Sequence, residues 1–361
     1  MAENKDVTAE LQRLVDARAG LESQIRNSGE ELSPEAIADY DRSFANLQRG
    51  LIRLFRRADS EEARIAITLE MARIMENELV YLQNFIIEPS TENQVLAGLV
   101  SDVLADLGAR RAVLSPLENT YYRGVAALYA GNLERARSSF SEACESEESD
   151  ETNDIKYKSF VILGNLSHEA RDYGQAKELH ERSVRYSHNE NVTAQALALK
   201  ALNSYALRDY DEALGLFDKA LTLFRRGEPF FNSYFYRNAL LFSGAIHVDR
   251  KEYDRAEPFY RRVADAAQPS SYDQFEALSQ LGKICFRTGR FDEAAEALSK
   301  AVDAHGAGEN ESLVDTCYWL ARAHLKNNAP ERARPMLERV AASDVRYGRR
   351  SQAVELLRQV V

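Results

Sequence analysis

One pattern recurs six times in the last two-thirds of the 361-residue chain, and it restricts the folds open to this sequence. Each copy has an alanine, and successive alanines are 37 to 43 residues apart. A glycine or alanine stands twelve positions before each of them. Repetition at such a period indicates one supersecondary unit stacked on itself. The alanines are Ala136, Ala176, Ala213, Ala256, Ala294 and Ala333, and the earlier small residues are Gly124, Gly164, Ala201, Gly244, Gly282 and Ala321.

The spacing inside a copy predicts two antiparallel helices, which we name helix A and helix B. Residues three or four positions apart are neighbours on one helical face. The small residue of helix A lets helix B approach closely, and a bulky residue four positions after the alanine is expected to fill the space toward the next copy. One pair cannot bury its apolar stripe alone, so the copies are expected to stack. The bulky residues are Phe140, His180, Phe217, Tyr260, Leu298 and Leu337.

The copies resemble the tetratricopeptide repeat, most clearly over Leu163 to Val184 and Leu281 to Val302. The family unit has about 34 residues, and the intervals of 37 to 43 residues are similar to its long-repeat type. The extra length implies that each helix pair or its turn is extended by about one helical turn. The resemblance covers residues 115–343 and implies an all-α fold, a right-handed superhelical α-solenoid of six helix pairs.

The flanking segments lack the repeat pattern but are predicted to be helical. Apolar residues at helical spacing indicate four helices in residues 1–114, one of them beginning at Ser33-Pro34. This N-terminal helical region is interpreted as a cap on the stack, as a dimerising or partner-specific hairpin, or as degenerate repeats. Ser115-Pro116 is predicted to open the first repeat, and residues 344–361 are predicted to form a C-terminal capping helix.

Charge and composition narrow the function classes. The net charge of −11 and the pI of about 5.3 argue against nucleic acid as a partner, because phosphate binding needs clustered lysine and arginine. No apolar run approaches the roughly 20 residues of a membrane-spanning helix, and the N-terminus shows no apolar signal segment. A cytoplasmic protein without membrane insertion is therefore expected. The segment 141–154 has seven acidic residues; it is predicted to be an extended solvated loop, or else a docking site for a basic partner.

No catalytic motif is found in the sequence. It contains no nucleotide phosphate loop, no nucleophile elbow and no zinc-binding pair of histidines. The six histidines occur singly, and the three cysteines are far apart, so they are expected to be buried thiols rather than metal ligands. We therefore expect no enzyme activity, no cofactor and no metal. The one enzymatic alternative would be a pair of carboxylates brought together from different repeats.

The family resemblance implies that helix A lines a concave groove in which a partner binds. Charged groove residues are expected to be exposed, because charges are rarely buried unpaired. They are expected either to be available to a ligand or to pair with acidic residues of neighbouring repeats. The groove is expected to bind a protein or peptide with acidic and aromatic residues, as a non-enzymatic scaffold or adaptor does. The alternative is a peptide-responsive regulator whose solenoid conformation controls the contacts of the N-terminal helices. The predicted groove residues are Tyr121, Tyr122, Asn165, His168, Lys283, Arg287, Tyr318, Trp319, Arg322 and Lys326.

Overall fold

The computed structural model describes most of the chain, and the described part is all-α. It contains seventeen helices and no strand within the residues described. The chain forms two compact units, which divide between Asn232 and Ser233. The described residues are 2–27, 34–81, 91–107, 114–147, 149–224, 229–266, 272–305 and 308–360.

The four helices predicted before the repeats are present in the first unit. Buried side chains of the second and third helices, such as Phe44, Leu51, Ile67 and Met71, form part of its core. The helix beginning predicted at Ser33-Pro34 is confirmed at the proline. The helices are α1 (Ala2–Asn27), α2 (Pro34–Arg57), α3 (Glu61–Tyr81) and α4 (Thr91–Leu107).

Six helix pairs follow, and each pair matches one copy of the sequence pattern. Helix A and helix B of a pair also meet well away from the turn, as Gly164 and His180 do, so the pairs are antiparallel. The A helices are α5 (Pro116–Tyr129), α7 (Asp150–Glu169), α9 (Glu190–Ala206), α11 (Pro229–Asp249), α13 (Tyr272–Arg287) and α15 (Glu311–Lys326). The B helices are α6 (Leu133–Glu145), α8 (Tyr173–Arg185), α10 (Tyr210–Phe224), α12 (Tyr253–Ala266), α14 (Phe291–Ala304) and α16 (Pro330–Ala342), and α17 (Arg350–Gln359) comes last.

The glycines of helix A receive the bulky residue of helix B in the same repeat. A Cβ atom added to Gly282 would lie 2.3 Å from Cγ of Leu298, and one added to Gly164 would lie 2.4 Å from Nε2 of His180. Gly124 and Gly244 meet the corresponding residues of their own repeats in the same way. This corrects the expectation that the bulky residue fills the space toward the next repeat.

The extra length of these repeats lies in helix A. Helices α7 and α11 have 20 and 21 residues, whereas α8 and α12 have 13 and 14. The extended loop predicted over residues 141–154 is wrong, because α6 continues to Glu145 and α7 begins at Asp150. A reciprocal capping box at Ser149 fixes the start of α7 inside this acidic segment. The Ser149 hydroxyl accepts from the backbone N–H of Thr152, and the Thr152 hydroxyl oxygen accepts from the backbone N–H of Ser149.

The turn between helix A and helix B has the same backbone in all six repeats. One residue adopts a positive φ, and the two N–H groups that follow the helix bond to carbonyls of its last turn, as in Asp172 N to Ser167 O at 2.9 Å. This is the Schellman arrangement, which satisfies carbonyls at a helix C-terminus. The positive-φ residues are Gly131, Arg171, Arg208, Lys251, Gly289 and Asn328.

None of the described helices has both the length and the apolar character that crossing a lipid bilayer requires.

Candidate functional site

The predicted groove residues of the first repeat contact the N-terminal helix α3. The hydroxyls of Tyr121 and Tyr122 donate to the Glu76 carboxylate at 3.3 and 3.4 Å. Lys158, on helix A of the second repeat, donates to the same carboxylate at 2.7 Å. Burial and then the Glu76 charge raise the pKa of Tyr122 to about 12. A glutamate of this chain therefore occupies the position where these tyrosines would meet an acidic partner.

Asn165 and His168 belong to a polar network between the second and third repeats. The Asn203 carboxamide lies 2.8 Å from a ring nitrogen of His168 and 2.8 Å from Nδ1 of His180, whose Nε2 lies 3.2 Å from Oδ1 of Asn165. Burial lowers the pKa of His180 to about 3, so its ring is neutral, accepts from Asn203 and donates to Asn165. The prediction that His180 is a packing residue is confirmed, since its side chain is buried.

Asn165 also has an amide nitrogen whose hydrogen-bonding capacity is not used. The residue is 7% exposed, and its Nδ2 has no partner among the described residues. A buried donor without an acceptor costs free energy, and such groups are few in native structures. Within the first unit, Asn165 is thus the predicted groove residue with an unused donor.

The predicted groove residues of the fifth and sixth repeats come together in the second unit. Three guanidinium groups lie over the Trp319 ring, with distances from the guanidinium carbon to the ring centroid of 4.7 Å for Arg322 and 5.4 Å for both Arg287 and Arg349. The quadrupole of an indole attracts cations placed over its face. We name Arg287, Arg322, Arg349 and Trp319 the arginine–tryptophan cluster.

Further aromatic rings fix the arginines of this cluster. Arg322 lies 4.7 Å from the centroid of Phe286, whose ring meets Trp319 edge-on at 5.2 Å. Arg287 also lies 5.9 Å from the Tyr253 ring. Lys326, one turn beyond Arg322, is exposed and lies 6.0 Å from the centroid of another ring, Phe291. The rings therefore hold a set of cations along helix A of these repeats.

One carboxylate lies beside the cluster and is shared by two cations. Asp315 accepts from Arg349 at 2.8 Å and from the Tyr347 hydroxyl at 2.7 Å, and it pairs with Lys283 at 2.9 Å. Burial raises its pKa, but Lys283, Tyr347 and Arg349 outweigh burial and lower it. The Lys283 side chain is only 12% exposed, which corrects the expectation that this lysine is exposed. The correction arises because Asp315, on the next repeat, supplies the charge that allows burial.

Arg287 and Arg322 have no such carboxylate. Among the described residues, no aspartate or glutamate oxygen lies within 4.0 Å of either guanidinium. Tyr318 and Trp319 are 3% and 8% exposed, and the Tyr318 hydroxyl donates to Gln352 at 2.9 Å. The aromatic residues of the predicted site are therefore mainly support for the arginines, and the arginines present the unpaired charge.

Sequence reasoning missed Arg349, which was assigned to the C-terminal cap. It lies directly before α17, outside the repeat pattern, and no spacing in the sequence connects it with Trp319. The contact between Arg349 and Trp319 arises only in the folded chain. The segment after the sixth repeat folds back on helix A of that repeat, where the ring centroids of Tyr318 and Tyr347 are 6.1 Å apart.

Two acidic clusters outside this site are explained by their own protein partners. Donor atoms of Glu257, Cys285 and Glu293 lie within 4.8 Å of one another. Arg290 bonds to both carboxylates, at 2.6 and 3.1 Å, and Arg261 bonds to Glu257. Burial raises the pKa of the Cys285 thiol and so keeps it protonated, which disfavours metal binding. As predicted, the three cysteines are buried.

The second acidic cluster lines a surface cleft of about 1060 Å³ between the first two repeats. Its glutamates include three from the segment predicted to be an acidic loop, and Glu118 accepts a hydrogen bond from the backbone N–H of Ser115 at its own helix start. The cleft shows no further feature that indicates a bound ligand, so the alternative of docking to a basic partner stays a prediction.

Comparison with known proteins supports the repeat assignment. A family model for the tetratricopeptide repeat matches residues 235–307, which lie within the fourth and fifth repeats. Comparison with curated protein sequences gave no match.

Two solved structures have a similar fold. One is a signal transduction ATPase with numerous domains and a tetratricopeptide repeat sensor from Pyrococcus horikoshii, with a TM-score of 0.57, 14% identity, and coverage of 88% of this chain and 49% of that chain. The other is the apo form of the quorum sensor NprR from B. thuringiensis, with a TM-score of 0.52, 15% identity, and coverage of 81% and 79%. At these identities the similarity concerns the fold.

The repeat pattern, the six helix pairs closed by the same turn, and the family match agree with one another. The helix pairs are therefore repeats of the tetratricopeptide type, and the family model itself matches the fourth and fifth of them, over residues 235–307.

Proposed function

We propose that this protein is a non-enzymatic scaffold or adaptor that binds an acidic segment of a protein or peptide partner at the arginine–tryptophan cluster. The observation that carries the proposal is that Arg287 and Arg322 lie over the Trp319 ring with no carboxylate of the described residues within 4.0 Å. Trp, Tyr and Arg are also the residues that dominate the energetics of many protein interfaces.

The chemistry of arginine supports an acidic partner. A guanidinium stacked on a ring keeps its N–H groups at the edge of its plane, where they can donate two parallel hydrogen bonds to a carboxylate. Because the rings already restrict the arginine side chains, less conformational entropy is lost when a ligand binds. These charges support the proposal of an acidic partner. The burial of Trp319 and Tyr318 gives no such support to an aromatic partner, which stays a prediction.

The experiment is affinity capture from native lysate with three baits, read by mass spectrometry. The test bait is Arg287→Gln/Arg322→Gln, and the matched control is Arg334→Gln/Arg358→Gln, which removes two exposed arginines outside the cluster. Lys283 is kept, because a substitution there would leave Asp315 partly unpaired. The proposal expects a partner that wild type and control retain and that the test bait loses while its circular dichroism remains that of the folded protein. Equal retention by all three baits would place binding elsewhere.

A second function, a peptide-responsive regulator, is favoured by the contact between Glu76 and the second repeat. Lys158 bonds to Glu76 at 2.7 Å and to Asp154, four residues before it in the same helix, at 2.7 Å. An acidic ligand that took the place of Glu76 would release α3 and leave Lys158 paired. Hydrogen exchange of α3, measured with and without the captured partner, tests this function. Faster exchange in the complex supports the regulator, and unchanged exchange rejects it.

A further inference from the structure

We infer that the chemical group bound by the arginine–tryptophan cluster is a phosphate monoester on the partner, rather than a carboxylate. The inference rests on the proposed function, since it names the ligand class of the same site. The inference is based on the positions of three arginines around Trp319. Arg287 and Arg322 are unpaired among the described residues, and Arg349 beside them bonds to Asp315.

The balance of charge around Trp319 favours a dianion. Lys283 and Arg349 share the single negative charge of Asp315, while Arg287 and Arg322 have no carboxylate among the described residues. One carboxylate ligand would bring one further negative charge. A phosphate monoester brings about −1.5 to −2 at pH 7 and three acceptor oxygens. A phosphorylated side chain therefore neutralises both unpaired arginines, and a single glutamate neutralises one.

The two unpaired arginines also lie around the same ring. Arg287 and Arg322 approach the same ring centroid at 5.4 and 4.7 Å, so their guanidinium carbons lie no more than about 10 Å apart. They come from successive A helices, α13 and α15, and both are fixed by further rings, Tyr253 for Arg287 and Phe286 for Arg322. Guanidinium groups held in this way are suited to the planar, bidentate recognition of phosphate oxygens.

The chain offers a direct probe of this site. Trp319 is its one tryptophan, so indole emission reports on the cluster and on no other position. The full-length protein is titrated with Gly-Gly-X-Gly-Gly peptides in which X is phosphoserine, phosphoserine methyl diester, glutamate or serine. The methyl diester keeps the tetrahedral phosphate and two of its three terminal oxygens but carries one negative charge, so it tests whether the second charge is needed. Calorimetry gives the affinity independently of emission.

We expect the phosphoserine peptide to change Trp319 emission and to bind at least about tenfold more tightly than the diester or the glutamate peptide, because it alone is a dianion. Arg287→Gln/Arg322→Gln should abolish this preference, and Arg334→Gln/Arg358→Gln should keep it. Equal binding of the glutamate and phosphoserine peptides would overturn the phosphate inference and leave the acidic-partner proposal standing. Absence of phosphoserine binding, or the same affinity in the double variant, would also overturn the inference, whereas partner capture tests the broader proposal separately.

Discussion

At the level of single residues, a glycine of helix A contacts the bulky residue sixteen positions later in four of the six repeats. This contact packs helix A directly against helix B. The pairs differ in chemistry, since the bulky residue is a phenylalanine, a histidine, a tyrosine or a leucine. In each case the helices approach so closely that a methyl group on the glycine has no room. The glycine is therefore required by packing and not by its backbone conformation, which is helical.

Replacement of Gly282 with alanine tests this contact. The added Cβ would lie 2.3 Å from Cγ of Leu298 and 3.2 Å from the Ala294 carbonyl oxygen. Overpacking of this kind costs about 1–3 kcal/mol of unfolding free energy. Gly215→Ala is the control, because nothing lies within 4 Å of its added Cβ, and there we expect a gain of about 0.5–1 kcal/mol. Urea unfolding measures both. A Gly282→Ala protein as stable as wild type would contradict the packing argument.

His180 predicts a pH dependence of stability. Its pKa of about 3 in the folded protein lies below the ordinary value of about 6.5, so between these values the unfolded chain binds more protons. Stability should therefore fall as the pH is lowered from 6.5 toward 3, by up to about 1.4 kcal/mol per pH unit from this group, and the effect should be absent above pH 7. Phenylalanine fits the same position in the first repeat, so His180→Phe removes the titration without a change of packing type.

The measurement is the unfolding free energy from pH 4.5 to 7.5. His180→Phe should be less stable at pH 7, because Asn165 and Asn203 lose a buried partner. Its stability should nevertheless fall less steeply with acid than that of wild type. Parallel pH curves for wild type and His180→Phe would contradict the assignment of His180 as a neutral buried group.

Charge pairing was the least predictable property at this scale. The sequence indicated which residues of helix A form the candidate site, because the repeat register gives each a position. It could not show that Lys283 meets Asp315, or that Arg349 reaches Trp319, since both contacts join different repeats or flanks. The exposed state predicted for Lys283 was wrong for this reason.

At the level of elements, several helices begin at a residue whose side chain caps them, such as Ser115, Ser149 and Asn310. The start of α5 at Ser115-Pro116 was predicted from a capping box that the structure confirms. The acidic segment 141–154 was mistaken for a loop, because its charge was weighed above the capping residue Ser149 inside it. The six turns between helix A and helix B escaped notice, since three of the six left-handed positions hold arginine or lysine.

Two of these three positions, Arg208 and Lys251, are predicted to accept stabilising substitutions. Arg208 and Lys251 have φ angles of 64° and 61°, in the region that glycine adopts without steric cost. Arg208→Gly and Lys251→Gly should each raise the unfolding free energy by about 0.5–1 kcal/mol, because a left-handed L-residue costs about 1–2 kcal/mol and the extra flexibility of glycine offsets part of the gain. Arg208→Ala is the control for loss of the side chain and should give no gain. A loss of stability in both glycine variants would show that these turns are not strained.

At the level of the whole molecule, the family and the all-α class could be predicted from the repeat alone, because six copies at a similar period allow few other structures. The division of the chain between Asn232 and Ser233 could not, since it interrupts no repeat signal and carries no Pro- or Gly-rich linker. The net charge of −11 also could not indicate the site. Arg287, Arg322 and Arg349 gather around the Trp319 ring even though the chain as a whole is acidic.

The most direct test of the central claim, that a partner binds at the arginine–tryptophan cluster, is site-specific photo-crosslinking in native lysate. A photoreactive amino acid replaces Lys326, which is exposed one turn beyond Arg322 on helix A, or Lys300, which is exposed on helix B of the fifth repeat. The account predicts a covalent adduct from position 326 that is absent from position 300 and lost in Arg287→Gln/Arg322→Gln. Adducts from position 300 alone, or an adduct at position 326 that survives loss of both arginines, would contradict it.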